Sequence, residues 1–130
     1  MDPAIDDHMP KSHTELICWQ LADELRQLII LHTDSGPVSK DYRFTSNLRD
    51  AISSVCRNQS EGFYKYWHKQ QRPYFNTAQG ALGETKDGII DGSERGYFPP
   101  DLASQMHRLC DRAIKANLKW LKSLDRPDPK

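Results

Sequence analysis

Apolar residues recur every three or four positions along most of the chain, which is the period of an amphipathic α-helix. No segment alternates apolar and polar residues for long enough to predict a strand. Breaks such as "TDSGPVSKD" and "RGYFPPD" divide the pattern, and these breaks predict four helices at about 14–33, 40–60, 72–93 and 100–124. Four helices joined by short loops indicate an all-α fold, an antiparallel up-down four-helix bundle. The predicted domain organisation is a flexible acidic N-terminus (1–11), the bundle (12–124) and a frayed tail (125–130).

The first and last predicted helices carry different apolar patterns. The first has apolar residues on more than one side, whereas a surface helix of a monomer needs only about a 100° apolar stripe. A second side of this helix is therefore expected to be buried. The last helix has one seam, spaced by three and four residues, that comprises Leu102, Met106, Leu109, Ala113, Ala116, Trp120 and Leu124.

The third predicted helix contains Gly80, Gly83, Gly88 and Gly92. Each glycine costs about 1 kcal/mol relative to alanine in a helix interior. Two interpretations stay open. The glycines allow another backbone to approach closely, or they leave this helix marginal without its neighbours.

Cysteine usage and hydropathy indicate a compartment. The chain of 130 residues has three cysteines without paired spacing, which is typical of buried thiols in a reducing environment. The first residues are acidic and lack an apolar run, and the longest apolar run, "LIIL", is far shorter than the ~20 residues of a membrane span. We therefore expect a cytoplasmic protein with no membrane partner.

The formal net charge is zero, but its sign is segregated along the chain. Residues 1–39 carry seven acids and two bases (−5), and residues 40–75 carry seven bases and three acids (+4). Residues 76–105 carry two bases and five acids (−3), and residues 106–130 carry seven bases and three acids (+4). Such asymmetry bears on partners and association.

Motifs of enzyme chemistry are not found in the sequence. No histidine lies three or four residues from another histidine, no phosphate-binding loop or nucleophile elbow is present, and no Glu-x-x-His pair supports a di-iron site. His107 and Cys110 stand three apart, but a packed thiol beside a partly exposed imidazole is the more typical interpretation. We expect no enzymatic activity, no cofactor and no metal.

Two basic segments are candidate nucleic-acid sites. The last predicted helix has six cations spaced 4, 3, 4, 3 and 4, which are neighbours on one helix face: Arg108, Arg112, Lys115, Lys119, Lys122 and Arg126. The second segment follows the second predicted helix and comprises Arg57, Lys65, Lys69 and Arg72. The row of six is also what a solvated helix face contains, with Asp111 available to pair with Lys115, so both interpretations stay open.

Three stretches resemble the 23S rRNA intervening-sequence proteins. "YRFTSNLRDAISSVCRNQSEGF" (42–63) is similar to their signature at Tyr42, Thr45, Ser46, Leu48, Arg49, Ala51, Ser53, Asn58, Glu61, Gly62 and Phe63. "YFNTAQGALGETKDGIIDGSERGYF" (74–98) is similar at Phe75, Ala78, Gly80, Leu82, Glu84, Gly96 and Tyr97, and "WQLADEL" (19–25) also fits. The chain departs from the family pattern at Val55–Cys56, Asp50, Tyr64–Lys65 and Ala81.

The resemblance implies an antiparallel four-helix bundle that assembles into a ring-like homopentamer and binds RNA or DNA. The family is also similar to accessory variability proteins of diversity-generating retroelements, which act with a reverse transcriptase. The leading hypothesis is therefore a non-enzymatic oligomer that binds nucleic acid through basic rows without base-specific readout. The alternative is a protein-interaction scaffold that presents charged faces to a partner such as a reverse transcriptase.

The aromatic residues of "FYKYWHK" (63–69) have two interpretations. Phe63 and Phe75 are expected to pack at a corner of the bundle. Tyr64, Tyr66 and Trp67 either stack on bases, at about 1–3 kcal/mol per base when exposed, or cover the end of the bundle or fill a joint between subunits.

Overall fold

The computed structural model describes residues 9–128, and that part of the chain contains helices and no strand. A 3₁₀ turn at His13–Glu15 precedes five α-helices: α1 (Ile17–Thr33), α2 (Gly36–Lys40), α3 (Tyr42–Phe63), α4 (His68–Glu94) and α5 (Pro100–Ser123). The all-α prediction is confirmed, and α1, α3, α4 and α5 are its four long helices. The predictions for residues 1–8 and 129–130 lie outside the described residues.

Two boundaries differ from the sequence pattern. The segment before α3 contains the one-turn helix α2, which begins at Gly36 with a φ of +75°, a conformation that favours glycine. Helix α4 begins at His68 instead of near residue 72, so Pro73 lies inside it rather than in its first turn. Because Pro73 is still close to the helix start, its missing N–H costs only the bond to the Lys69 carbonyl. At the start of α4, the Trp67 N–H donates to the Gln70 side chain (3.3 Å).

Each long helix packs against two others. Helices α1 and α4 each contact α3 and α5, which places α1 across the bundle from α4 and α3 across from α5. Fully buried side chains between them include Leu25, Ile52, Leu82, Ile89 and Met106. Apolar burial of this kind is the main favourable term in folding. No helix of residues 9–128 is long and apolar enough to cross a membrane.

Three amides link α3, α4 and α5 inside the bundle. The Asn117 Nδ2 donates to the Phe75 carbonyl (3.0 Å) and to Gln79 Oε1 (2.7 Å), and Asn117 Oδ1 accepts from Gln59 Nε2 (3.0 Å). Asn117 and Gln59 are fully buried. These partners satisfy the polar atoms of Asn117, which would otherwise be costly to bury. The apolar seam predicted on the last helix is therefore interrupted by a polar residue, while Leu102, Ala116 and Trp120 are only partly buried.

The four glycines of α4 lie in different surroundings. A Cβ at Gly88 would lie 2.8 Å from Leu48, and one at Gly92 would lie 2.7 Å from Phe44, so α3 approaches α4 closely at both positions. Gly80 and Gly83 have no neighbouring atom within 4 Å of such a Cβ. Within the chain, close approach therefore accounts for two of the four glycines.

Candidate nucleic-acid interface

A basic row lies along the exposed side of α5. Its members on the helix are all exposed and comprise Arg108, Arg112, Lys115, Lys119 and Lys122. At about 100° and about 1.5 Å per residue, these five side chains lie within an arc of about 80° and span about 21 Å. Arg126 is exposed as well but lies beyond the end of α5 at Ser123, so it extends the row from the following turn.

No carboxylate within residues 9–128 forms an ion pair with the basic row. Asp111, expected to pair with Lys115, instead pairs with Lys86 of α4, Nζ to Oδ1 at 2.8 Å. The hydrogen bond to Asp111 raises the pKa of Lys86. Because Asp111 is engaged across the α4–α5 contact, the positive charge of the row stays uncompensated by its nearest acid.

The second basic segment is divided by the fold. Lys65 lies in the turn between α3 and α4, Lys69 and Arg72 lie in the first turns of α4, and Arg57 lies on α3 about two helical turns from that end. Arg57 lines an open groove between α3 and α4 with a volume of about 1140 Å³. The four charges predicted as one segment therefore occupy two surfaces.

The groove that contains Arg57 is acidic, and we call it the acidic groove. It is lined by six acids and three arginines: Asp41, Asp50, Glu84, Asp87, Asp91 and Glu94, with Arg43, Arg57 and Arg95. Four of the acids repeat on α4 at spacings of 3, 4 and 3, the same spacing as Arg112 to Lys122 on α5. Sequence reasoning counted these acids only as segment charge, although their helical spacing was available as a signal.

The start of α4 and the end of α5 meet at one end of the bundle. The Arg72 Nη2 donates to the Leu124 carbonyl (2.6 Å) and pairs with Asp125 (3.3 Å). His68 contacts the Arg126 carbonyl through Nδ1 (3.1 Å), and its backbone N–H donates to Asp128. Residues 125–128, expected to fray, fold back against α4. This contact brings Lys65, Lys69 and Arg72 to the same end as the last cations of the basic row.

Aromatic side chains gather at that end, which we call the aromatic end: His13, Trp19, Phe63, Tyr64, Tyr66, Trp67, Tyr74, Phe75 and Trp120. Phe75 is fully buried and its ring centre lies 6.0 Å from that of Trp120, while Phe63 lies 6.5 Å from Trp120. Tyr64 and Tyr66 are 60% and 75% exposed. The apolar rings thus close the bundle, and two tyrosines remain outside it.

The buried thiols are not poised for chemistry. Burial raises the pKa of Cys18 to about 12 and the pKa of Cys56 and Cys110 to about 11, so each thiol is protonated near neutral pH. The Cys110 Sγ lies 3.7 Å from the Leu82 carbonyl. Within residues 9–128, no group of three or more His, Cys, Asp or Glu side chains is arranged to hold a metal ion.

The structure belongs to the class of all-α bundles with four long helices. Its charges lie on separate faces, with the basic row on α5 and the acidic groove between α3 and α4. The model of the family described as 23S rRNA-intervening sequence protein matches residues 14–118. The chain belongs to that family, and the resemblance found in the sequence is confirmed. A comparison with curated proteins found no match.

Proposed function

We propose that this protein is a non-enzymatic, oligomeric helical bundle that binds RNA or DNA through basic surface rows without base-specific readout. The observation that carries the proposal is the basic row of α5, which is exposed over about 21 Å and has no ion-pair partner within residues 9–128. Family membership adds only a loose association with RNA, through the family's name.

The mechanism is neutralisation of phosphates. Each lysine or arginine that contacts a phosphate releases a condensed counterion, so the logarithm of affinity falls with the logarithm of salt by about 0.7 to 0.9 per contact. The row lies on the outside of one helix and presents flexible cations, with no recognition helix shaped for a groove. Contacts of this kind position a nucleic acid and carry no sequence information.

The proposal includes an antiparallel bundle and a ring-like homopentamer. Contacts support the first point, since Arg72 near the start of α4 meets Leu124 at the end of α5, and Lys86 further along α4 meets the earlier Asp111. Exposed apolar residues support assembly, since Ile17 and Leu31 on α1 are 68% and 67% exposed. The proposed location is the cytoplasm, where three buried free thiols stay reduced.

The test compares two variants, each of which loses four charged side chains at the same spacings along one helix. In the first, Arg112, Lys115, Lys119 and Lys122 become Gln. In the matched control, Glu84 and Glu94 become Gln, and Asp87 and Asp91 become Asn. Affinity for RNA and DNA is measured from about 50 to about 200 mM salt, after light scattering has fixed the mass of each assembly.

Wild type is expected to bind with an affinity that falls steeply with salt. The α5 variant loses four contacts, so its salt slope falls by about 3 to 4 and its affinity falls at least about a hundredfold. The control variant keeps the slope. Absence of binding by the intact wild-type assembly at about 50 mM salt would refute the proposal, as would equal effects of the two variants.

The second candidate function is a protein-interaction scaffold, favoured by the acidic groove. Asp41 and Asp91 of this groove pair with Arg95, and the other four carboxylates are offered to a basic segment of a partner protein such as a reverse transcriptase. Complementary charge steers association and sets specificity. If the control variant loses a basic protein partner while the α5 variant keeps it, the scaffold function is supported.

A further inference from the structure

We propose that the aromatic end is a stacking platform for unpaired bases, so that the nucleic acid bound is single-stranded. This inference rests on the proposed function and names the ligand class of the same surface. It depends on two exposed tyrosines and on the cations that the fold brings beside them. The sequence left stacking and packing open for Tyr64, Tyr66 and Trp67.

Each exposed tyrosine contacts a neighbouring ring, and Tyr64 is also held through its hydroxyl. The Tyr64 hydroxyl contacts His13 Nδ1 at 3.1 Å, and its ring packs edge-on against Phe63 with centres 5.0 Å apart. Tyr66 meets Trp67 edge-on, with ring centres 4.5 Å apart and planes at 90°. In an edge-on pair, one ring keeps its faces open. A ring that is fixed before binding loses little side-chain entropy when a base stacks on it.

The core of the bundle does not use these two rings. The end is closed by Phe75, which is fully buried, and by Phe63 and Trp120, which are partly buried. Tyr64 and Tyr66 lie outside that closure with 60% and 75% of their surface exposed. Packing within the chain therefore leaves both rings available to a ligand.

Cations lie beside the exposed tyrosines, and their positive charge suits a phosphate backbone. Lys65 lies between the two tyrosines, with Nζ 5.3 Å from the centre of the Tyr74 ring, and Lys69 is exposed in the first turn of α4. Arg126 is brought alongside through the contact of its carbonyl with His68. Two of the acids at this end are engaged, Asp125 with Arg72 at 3.3 Å and Asp128 with His68 at 3.6 Å, whereas Glu61 in the last turn of α3 is exposed and forms no ion pair within residues 9–128.

Aromatic rings beside cations fit a single strand better than a duplex. In a duplex the base faces are stacked on one another and are inaccessible to protein rings, whereas unpaired bases splay out onto aromatic side chains. Proteins that bind single strands combine a cationic path for the backbone with rings on which bases stack, and every base offers such a face. Base stacking would therefore add affinity to phosphate neutralisation, and it requires no particular base sequence.

The experiment compares Tyr66→Ala, Tyr66→Phe and Tyr42→Ala with wild type. Tyr42 is the matched control because it is 78% exposed and begins α3, about 32 Å of helix away from the aromatic end. Affinities are measured by fluorescence anisotropy for a single-stranded oligonucleotide and for the duplex of the same sequence. The mass of each variant is measured by light scattering.

Wild type is expected to bind the single strand more tightly than the duplex. Tyr66→Ala is expected to weaken single-strand binding about tenfold, and duplex binding by less than about twofold, because only the unpaired base loses its stacking partner. Tyr66→Phe keeps the ring and should bind like wild type, and Tyr42→Ala should have no effect.

The inference is overturned if Tyr66→Ala binds the single strand as wild type does, or if it weakens single strand and duplex equally. It is also overturned if this variant changes the mass of the assembly, since the ring would then belong to a subunit contact. In each of these cases, loss of binding in the α5 charge variant still supports the proposed function. If wild type binds neither form, both proposals fail together.

Discussion

Both ends of the bundle are sealed by phenylalanine rings that pack against a glycine, but the two ends differ in the residues on their surfaces. At the aromatic end, a Cβ on Gly62 would lie 2.6 Å from the Tyr74 Cβ and 3.0 Å from the Phe75 ring. At the opposite end, which we call the closed end (residues 41–44 and 92–98), a Cβ on Gly92 would contact the rings of Phe44 and Phe98. At each end a glycine therefore admits a phenylalanine that seals the core.

Surface residues distinguish the two ends. At the closed end the Tyr97 hydroxyl donates to Asp41 (2.7 Å), and Arg95 pairs with both Asp41 (3.4 Å) and Asp91 (2.9 Å). At the aromatic end, Lys65 and Lys69 have no carboxylate partner within residues 9–128. Packing at the two ends is alike, and Lys40 and Arg43 beside the closed end also form no ion pair within residues 9–128, so the aromatic end is distinguished by its two exposed tyrosines and by the last cations of the basic row.

The largest effect should come from filling the glycine sites. Gly62→Ala and Gly92→Ala should each lower the free energy of unfolding by about 1–3 kcal/mol, because the added methyl overpacks a sealed end. The Tyr74 Cβ cannot move without shifting α4, and the rings around Gly92 are nearly or fully buried. Urea unfolding followed by circular dichroism measures the change.

Gly80→Ala provides the control for these two variants. Gly80 is exposed in α4 with open space around it, so alanine should stabilise the helix by about 0.5–1 kcal/mol. If Gly80→Ala destabilised the protein as much as the other two, the close-packed ends would not be special, and the open face of α4 would carry a contact between subunits.

A smaller effect should follow from removing cations at the aromatic end. Changing Lys69 and Arg126 to Gln should reduce the salt slope for a single strand by about 1.4, at about 0.7 for each lost contact. Changing Lys40 and Arg43 to Gln at the closed end should leave the slope unchanged, although both are equally exposed. Similar losses in the two double variants would show that binding follows net charge and not the aromatic end.

The smallest effect concerns the pH dependence of the closed end. The hydrogen bond from Tyr97 is the main cause that lowers the pKa of Asp41, with the Phe44 N–H next, and the same bond raises the pKa of Tyr97. The lowered Asp41 pKa contributes stability that is present above its unfolded pKa of about 3.9 and is lost as pH falls through the folded pKa. The raised Tyr97 pKa contributes stability that is present below its unfolded pKa of about 10 and is lost as pH rises through the folded pKa.

Tyr97→Phe measures this contribution directly. The difference in unfolding free energy between wild type and the variant should be constant from about pH 5 to about pH 9, and should shrink below about pH 4 and above about pH 10. A difference that changed across the neutral range would place its origin in another titrating group, such as a histidine.

Much of the fold was available in the sequence because helix-forming patterns are local. The buried positions of α3 (Phe44, Leu48, Ile52, Val55 and others) and of α4 (Phe75, Ala78, Leu82 and Ile89) are those that the helical period predicts. The beginning of α4 was predicted near residue 72 but lies at His68, whose partners Arg126 and Asp128 come from a distant part of the chain. The buried Asn117 was not available either, since its partners Gln59 and Gln79 come from two other helices.

The sequence by itself determined the helical class, the family and the row of cations on α5, since each depends on spacing along one segment. Only the tertiary structure decided which charges meet. It engages Asp111 with Lys86 instead of Lys115, places Arg57 in the acidic groove, and joins the start of α4 to the end of α5. The physical reason is that ion pairs and surfaces depend on distances between helices, and those distances are set by how the buried faces pack.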